Sequence, residues 1–296
     1  GMGRGAGNLP TELITQYINK KIDVRYDVTT VMDIYDEYIA PIRKDFEWGY
    51  TMPYHIAASN VCHPNYATYL INRQTLTMKD IETIIQSIPK EYKILYDQDL
   101  IERLYTQFQS RKIDDCAAIQ EISVRIRDKK ILLLAPGKSL SSQYHQILEF
   151  IDKEKPYVIS VNFIDLKYHM DACFISNHKR MDIIERDIKP LNQTLVIVTS
   201  NIPKTEKNNY LYVDYNNYLI PDDLISDNAG LMLLQLLKRC EAAEVFLAGF
   251  DGFHYGQREN YYSDDLNFPV YKDHIYEKRK RIRKQLSEFA QTMKIT

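Results

Sequence analysis

The sequence holds little that would commit a protein to a membrane, to nucleic acid or to zinc. No stretch approaches the roughly 18–20 apolar residues that a spanning helix needs, and no signal-peptide pattern is read. Positive charge is not in excess: 38 Lys and Arg against 40 Asp and Glu leave a formal net charge of −2. Tracking a phosphate backbone requires a basic surface, so nucleic acid is not an expected partner. The most conspicuous basic run, Lys278 to Lys284, is flanked by acidic residues and reads as a solvated helix face. Cysteine is sparse, and Cys62, Cys116, Cys173 and Cys240 lie far apart and match no zinc spacing. Buried free thiols in a reducing cytoplasm are the expectation.

What is present suits one or two globular cores, with 45% hydrophobic and 26% charged residues. Tyrosine is abundant at 23 residues. Sugar-stacking surfaces and an AT-rich bacterial composition both account for that. Glycine is concentrated instead of spread, with Gly1, Gly3, Gly5 and Gly7 in the first seven positions. Such a run resists helix and strand and suits a loop that brings backbone close to a ligand or another strand. A loop of that kind belongs between a strand and a helix. Leu9 to Asn19 supplies the helix and no strand precedes it, so the chain is expected to be the C-terminal part of a longer protein.

Two regions differ in pattern. Residues 1–112 are expected to be helical: 9–20, 28–45, a short helix started by Asn60 to Pro64 and running to about Leu70, Thr77 to Ser87 with Thr77 and Asp80 as a weak capping box, and Asp97 to Gln109. Trp48 to Pro53 reads as a turn. Residues 113–129 are charged and read as a helical linker. From 130 to 296, short apolar runs alternate with helical stretches. Strands are expected at Ile131–Ala135, Tyr157–Val161, Ala172–Ser176, Leu195–Thr199, Leu211–Asp214 and Glu244–Gly249, with a strongly apolar helix over Asn228–Cys240. The fold class is α/β, a helical region followed by a Rossmann-like, mostly parallel sheet domain.

In such sheets ligands sit at the carboxyl ends of the strands, where strand order reverses. The first strand ends in Pro136-Gly137-Lys138-Ser139, a turn whose amides and Ser139 hydroxyl suit an anion. The second ends in Asn162, suited to a base, ribose or sugar hydroxyl. The third ends in Ser176-Asn177-His178-Lys179-Arg180. Ser226-Asp227-Asn228-Ala229-Gly230 opens the apolar helix and could bind phosphate or hydroxyl, and the last strong strand ends in Gly249-Phe250-Asp251-Gly252. Each alone has a plain structural explanation, such as a helix cap or turn chemistry. Five at successive strand ends point to a site.

Two resemblances attach to these patterns. Gly1-Met2-Gly3-Arg4-Gly5-Ala6-Gly7-Asn8 with Glu12, and then Met52-Pro53-Tyr54-His55-Ile56-Ala57-Ala58-Ser59-Asn60 and His63-Pro64-Asn65-Tyr66-Ala67, resemble the end of the barrel and the following segment in the HMGL-like, metal-dependent aldolase and lyase superfamily. The resemblance covers roughly residues 1 to 110. It implies a parent enzyme that cleaves or condenses a 2-oxo acid with a divalent metal, and it maps one metal ligand onto Asn8. The other ligands of that family, an aspartate on the first strand and a His-x-His, have no counterpart. A (β/α)₈ barrel needs about 250 residues, so this chain is not expected to be a competent aldolase alone, and its missing barrel would be a partner.

Residues 130–296 resemble the bacterial sialyltransferase fold and a pterin diphosphokinase-like domain, although the usual Gly-x-Gly-Pro-Ser form is absent. That resemblance implies a nucleotide or nucleotide-sugar site lined by Gly137, Ser139, Asn162, Asn177, Gly230 and Asp251. It places a histidine general base at His274, with His254 as a rival. Three functions stay open. One is a nucleotide-binding module on an aldolase, another a glycosyltransferase-like enzyme of surface polysaccharide synthesis. The third is a non-catalytic oligomerisation or partner-binding module.

Overall fold

A computed structural model describes residues 3, 8–45, 48–73, 75–187, 194–205, 209–252, 261–262 and 275–296. The chain divides into two compact units, Gly1–Tyr105 and Thr106–Thr296.

In the first unit every described element is helical, as expected: α1 (Thr11–Lys21), α2 (Val28–Ile34), a π-helical turn (Tyr35–Ile39), α3 (Ala40–Asp45), α4 (Met52–Ser59), α5 (Pro64–Asn72), α6 (Met78–Ser87) and the start of α7 (Gln98–Gln109). The expected turn at Trp48–Pro53 gives way to helix at Met52, because Thr51 accepts the Tyr54 amide and Pro53 sits in the first turn, where its missing N–H is harmless. The capping box at Thr77 and Asp80 is complete. Tyr66, Ala67, Leu70, Ile81, Ile84, Ile85 and Ile101 are buried and form the core of α4–α7. Buried Tyr66 keeps its hydroxyl satisfied, accepting from the Asp97 amide at 3.0 Å and donating to the Tyr92 or Leu95 carbonyl.

The second unit begins with α8 (Cys116–Ile126), then β1 (Lys130–Leu134), α9 (Ser139–Ser142), α10 (Tyr144–Glu154), β2 (Tyr157–Val161), β3 (Ala172–Ile175), α11 (His178–Asp187), β4 (Leu195–Thr199), β5 (Tyr210–Val213), α12 (Ala229–Arg239), β6 (Glu244–Ala248), α13 (Ile275–Ala290) and β7 (Lys294–Ile295). The strands form one seven-stranded, all-parallel sheet in the order β5-β4-β3-β2-β1-β6-β7. Parallel strands covered on both faces are apolar throughout, and β2, β3 and β4 are buried at every position. Ile131, Leu133, Ile159 and Phe174 face one core with α8, α12 and α13, whereas Leu132, Leu134 and Val158 face α10, and Cys173, Ile175, Val196 and Val198 face α11. The segment read as a linker contains α8, whose Ala118, Ile122 and Ile126 belong to the first of these cores. Cys62, Cys173 and Cys240 are buried free thiols. Cys116 corrects the expectation: it stands exposed at the start of α8, whose buried face begins at Ala118. Burial pushes the Cys173 thiol up to about 12, so it stays protonated.

One buried carboxylate ties α8 to the sheet. Asp115 is 3% exposed and accepts from the Tyr218 hydroxyl at 2.7 Å, the Asp214 amide at 3.1 Å and Arg239 Nη1 at 3.2 Å. Burial alone would raise its pKa, but these donors together hold it below the ordinary 3.8. A depressed folded value contributes stability that is present above the ordinary value and lost as pH falls through the folded one. Asp115→Ala is expected to lower the unfolding free energy by about 2–3 kcal/mol at neutral pH. In denaturant titrations the gap to wild type should narrow as the pH approaches about 3.

Candidate functional site

The strand order defines where a ligand would sit. From β1 the chain steps outward through β2, β3, β4 and β5, then returns to place β6 on the other side of β1. Connections leave the β1 and β6 ends in opposite directions, the arrangement that in sheets of this kind forms a crevice at the carboxyl edge. Gly137, Ser139 and Asp251 lie at that switch point, Asn162 follows β2, Asn177 precedes α11, and Gly230 opens α12.

The β1 and β6 ends are locked together. The Ala135 amide donates to the Ala248 carbonyl at 2.8 Å and the Gly137 amide to the Gly249 carbonyl at 3.1 Å. Gly249 has φ +76°, and a Cβ there would lie 1.9 Å from the Ala135 oxygen. A Cβ on Gly137 would lie 2.2 Å from the Gly249 oxygen and 2.6 Å from Asp251 Oδ2. Neither position admits a side chain. Asp251 Oδ2 accepts the Ser139 amide at 2.6 Å. The turn that the sequence offered to an external anion thus holds a carboxylate of the chain itself.

The remaining residues are also engaged. Asn162 has φ +58°, a conformation Asn tolerates better than most residues. Its amide donates to Phe174 O at 2.8 Å and its Oδ1 accepts the Ser176 amide at 3.0 Å, joining the ends of β2 and β3. Its side-chain NH₂ makes no hydrogen bond among the described residues and remains available to a ligand oxygen. Asn177 Oδ1 caps α11 by accepting the Arg180 amide at 3.2 Å. At α12 the cap is Asn228, which accepts the Leu231 amide, and the Phe250 ring packs on Gly230, where a Cβ would lie 2.7 Å from it. The Tyr261 backbone bridges to Gly137, the Tyr262 amide donates to Pro136 O at 3.2 Å, and the Tyr262 ring lies 5.3 Å from that of Phe163. Asn8 precedes α1, and among the described residues no three His, Cys, Asp or Glu side chains gather as a metal site. His274 and His254 lie outside the described residues.

Part of the carboxyl edge is closed by the chain. Asn201 Nδ2 donates to Gln109 Oε1 at 3.0 Å, Ser200 Oγ donates to the Arg111 carbonyl, and Asp214 Oδ2 accepts the Ile113 amide at 2.9 Å. Residues 109–115 thus cover the ends of β4 and β5. The ends of β1, β2, β3, β6 and β7 make up the rest.

Within that remainder the sequence reading underweighted the start of α11. His178, Lys179 and Arg180 occupy its first turn, with no acidic residue there. Cations at a helix N-terminus oppose the macrodipole, which favours anions. Arg180 is 4% exposed, with its guanidinium 5.3 Å from the Tyr261 ring centre. Burial lowers its pKa, partly offset by Tyr261, and burial together with Arg180 lowers that of Lys179. Three successive basic residues after a strand and an Asn cap were the available signal. The arrangement concentrates positive potential at the β3 end of the crevice, suited to a phosphate or carboxylate.

The chain matches no protein-family model, no curated protein and no solved structure. The class stands on the fold alone, an α/β protein with a doubly wound, all-parallel sheet.

Gly249→Ala is expected to destabilise the second unit by about 2–4 kcal/mol, through positive φ and the collision with Ala135. Chemical denaturation followed by circular dichroism measures the change.

Proposed function

We propose that the second unit binds a nucleotide or nucleotide-sugar across the carboxyl ends of β1, β2 and β3, with its phosphate at the first turn of α11. The observation that carries this reading is the basic turn His178-Lys179-Arg180 at a helix N-terminus beside the switch point. Lys179 and the α11 amides would take the charge, and the Asn162 side-chain NH₂ a hydroxyl or base oxygen. The glycine-rich resemblance of residues 1–110 supports placing this unit at the C-terminal end of a 2-oxo acid aldolase. The barrel that would carry that enzyme's chemistry is not part of this sequence, so no lyase step is assigned to this chain. Glycosyl transfer would need a base such as His274.

A second reading has its own support. The Phe250 ring on Gly230 and the Asp251 carboxylate at the Ser139 amide fill two of the expected subsites with protein. That favours a non-catalytic scaffold whose strand ends bind a partner.

Calorimetric titration with CMP, UDP, GDP and their sugar conjugates, each with and without divalent metal, separates the two. Saturable binding to one nucleotide, weakened about tenfold or more by Lys179→Ala, is the expected result. Asn162→Gly tests the amide without the left-handed strain that alanine would add. No binding across the panel would overturn the nucleotide reading and leave the scaffold.

A further inference from the structure

The first three helices have no core of their own. Among the described side chains of α1, α2, the π-helical turn and α3, Thr15 alone is buried. Helices this short are marginal in water and draw their stability from packing. The apolar residues they would pack are present but exposed. Leu13 and Tyr17 stand one turn apart on α1, and Ile34, Tyr38 and Ile42 recur at every fourth residue from α2 to α3, each between 45% and 58% exposed. Four-residue spacing drifts around an α-helix of 3.6 residues per turn. The wider π-helical turn at Tyr35–Ile39 absorbs part of that drift and keeps the second stripe on one face. Ile22 is 69% and Val24 79% exposed in the intervening connection.

All seven side chains are at least 45% exposed, a concentration of exposed apolar groups in one short stretch that marks an interaction surface. We propose that this face is the interface of a homodimer, with α1 of one copy lying antiparallel against α2–α3 of the other. A two-fold axis needs only one self-complementary surface, and two stripes of two to three turns each can interlock as a four-helix arrangement. The flanking charges agree with that direction. Glu12 opens α1 and Lys20 and Lys21 close it, whereas Asp33 and Asp36 lie near the middle of the second stretch and Arg43 near its end. Antiparallel pairing brings Glu12 to Arg43 and the two lysines to the aspartates. Parallel pairing sets like charges together.

Sedimentation equilibrium of the intact chain tests this over a concentration series. The expected species has twice the 34.9 kDa chain mass, and Tyr17→Glu and Tyr38→Glu should each weaken it about tenfold or more. Both positions are exposed, so circular dichroism should show the second unit unchanged. Glu12→Arg should weaken the dimer, and Glu12→Arg combined with Arg43→Glu should recover it, which a general loss of helix would not do. A monomer throughout, leaving these stripes to a different chain, would overturn the proposal, and so would a dimer indifferent to all four substitutions.

Discussion

The close approach of the β1 and β6 ends is the constraint on which the candidate site depends. Gly249 must take a left-handed conformation and carry no side chain for β6 to hold its register against Ala135. Gly137 must carry none for its amide to reach Gly249. With the two loops in contact, Asp251 falls within reach of the Ser139 amide, and a carboxylate of the chain takes the place of an anion. The anion-binding turn on the β1 side is thereby already occupied, which leaves the basic first turn of α11 as the other charged position at this edge.

That arrangement gives the crevice a polarity. At one end stands Asp251, and at the other the first turn of α11 with Lys179 and Arg180; Asn162 on the intervening strand ties β2 to β3. Placing cations against a helix N-terminus is unfavourable in isolation, and burying Arg180 adds desolvation. The ends of β4 and β5 are covered by residues 109–115, whose backbone and side chains satisfy Ser200, Asn201 and Asp214.

Much of the fold was legible because its signals are local. Apolar runs such as Tyr157–Val161 and Leu195–Thr199 mark buried parallel strands to the residue, and the Thr77–Asp80 box marks a helix start. The site residues were legible as positions, since strand ends follow from strands. Their roles were not, because those depend on non-local neighbours. The pairing of Ser139 with Asp251 spans 112 residues, and the contact of Phe250 with Gly230 joins a strand end to a helix formed before it. The two-residue strand β7 was too short to give a pattern, and exposed Cys116 follows only from which face of α8 turns inward. The apolar residues of α1–α3 recur at helical spacing, which alone does not say whether they are buried. Their exposure is visible only once the rest of the chain is placed.

A crystal structure of the chain grown with a saturating nucleoside diphosphate tests the central claim most directly. The account predicts phosphate oxygens within hydrogen-bond distance of the α11 first-turn amides and Lys179 Nζ, with the nucleoside extending over Asn162 toward Gly137. Phosphate bound at any other part of the molecule, or a crevice still filled by protein side chains at saturation, would contradict it.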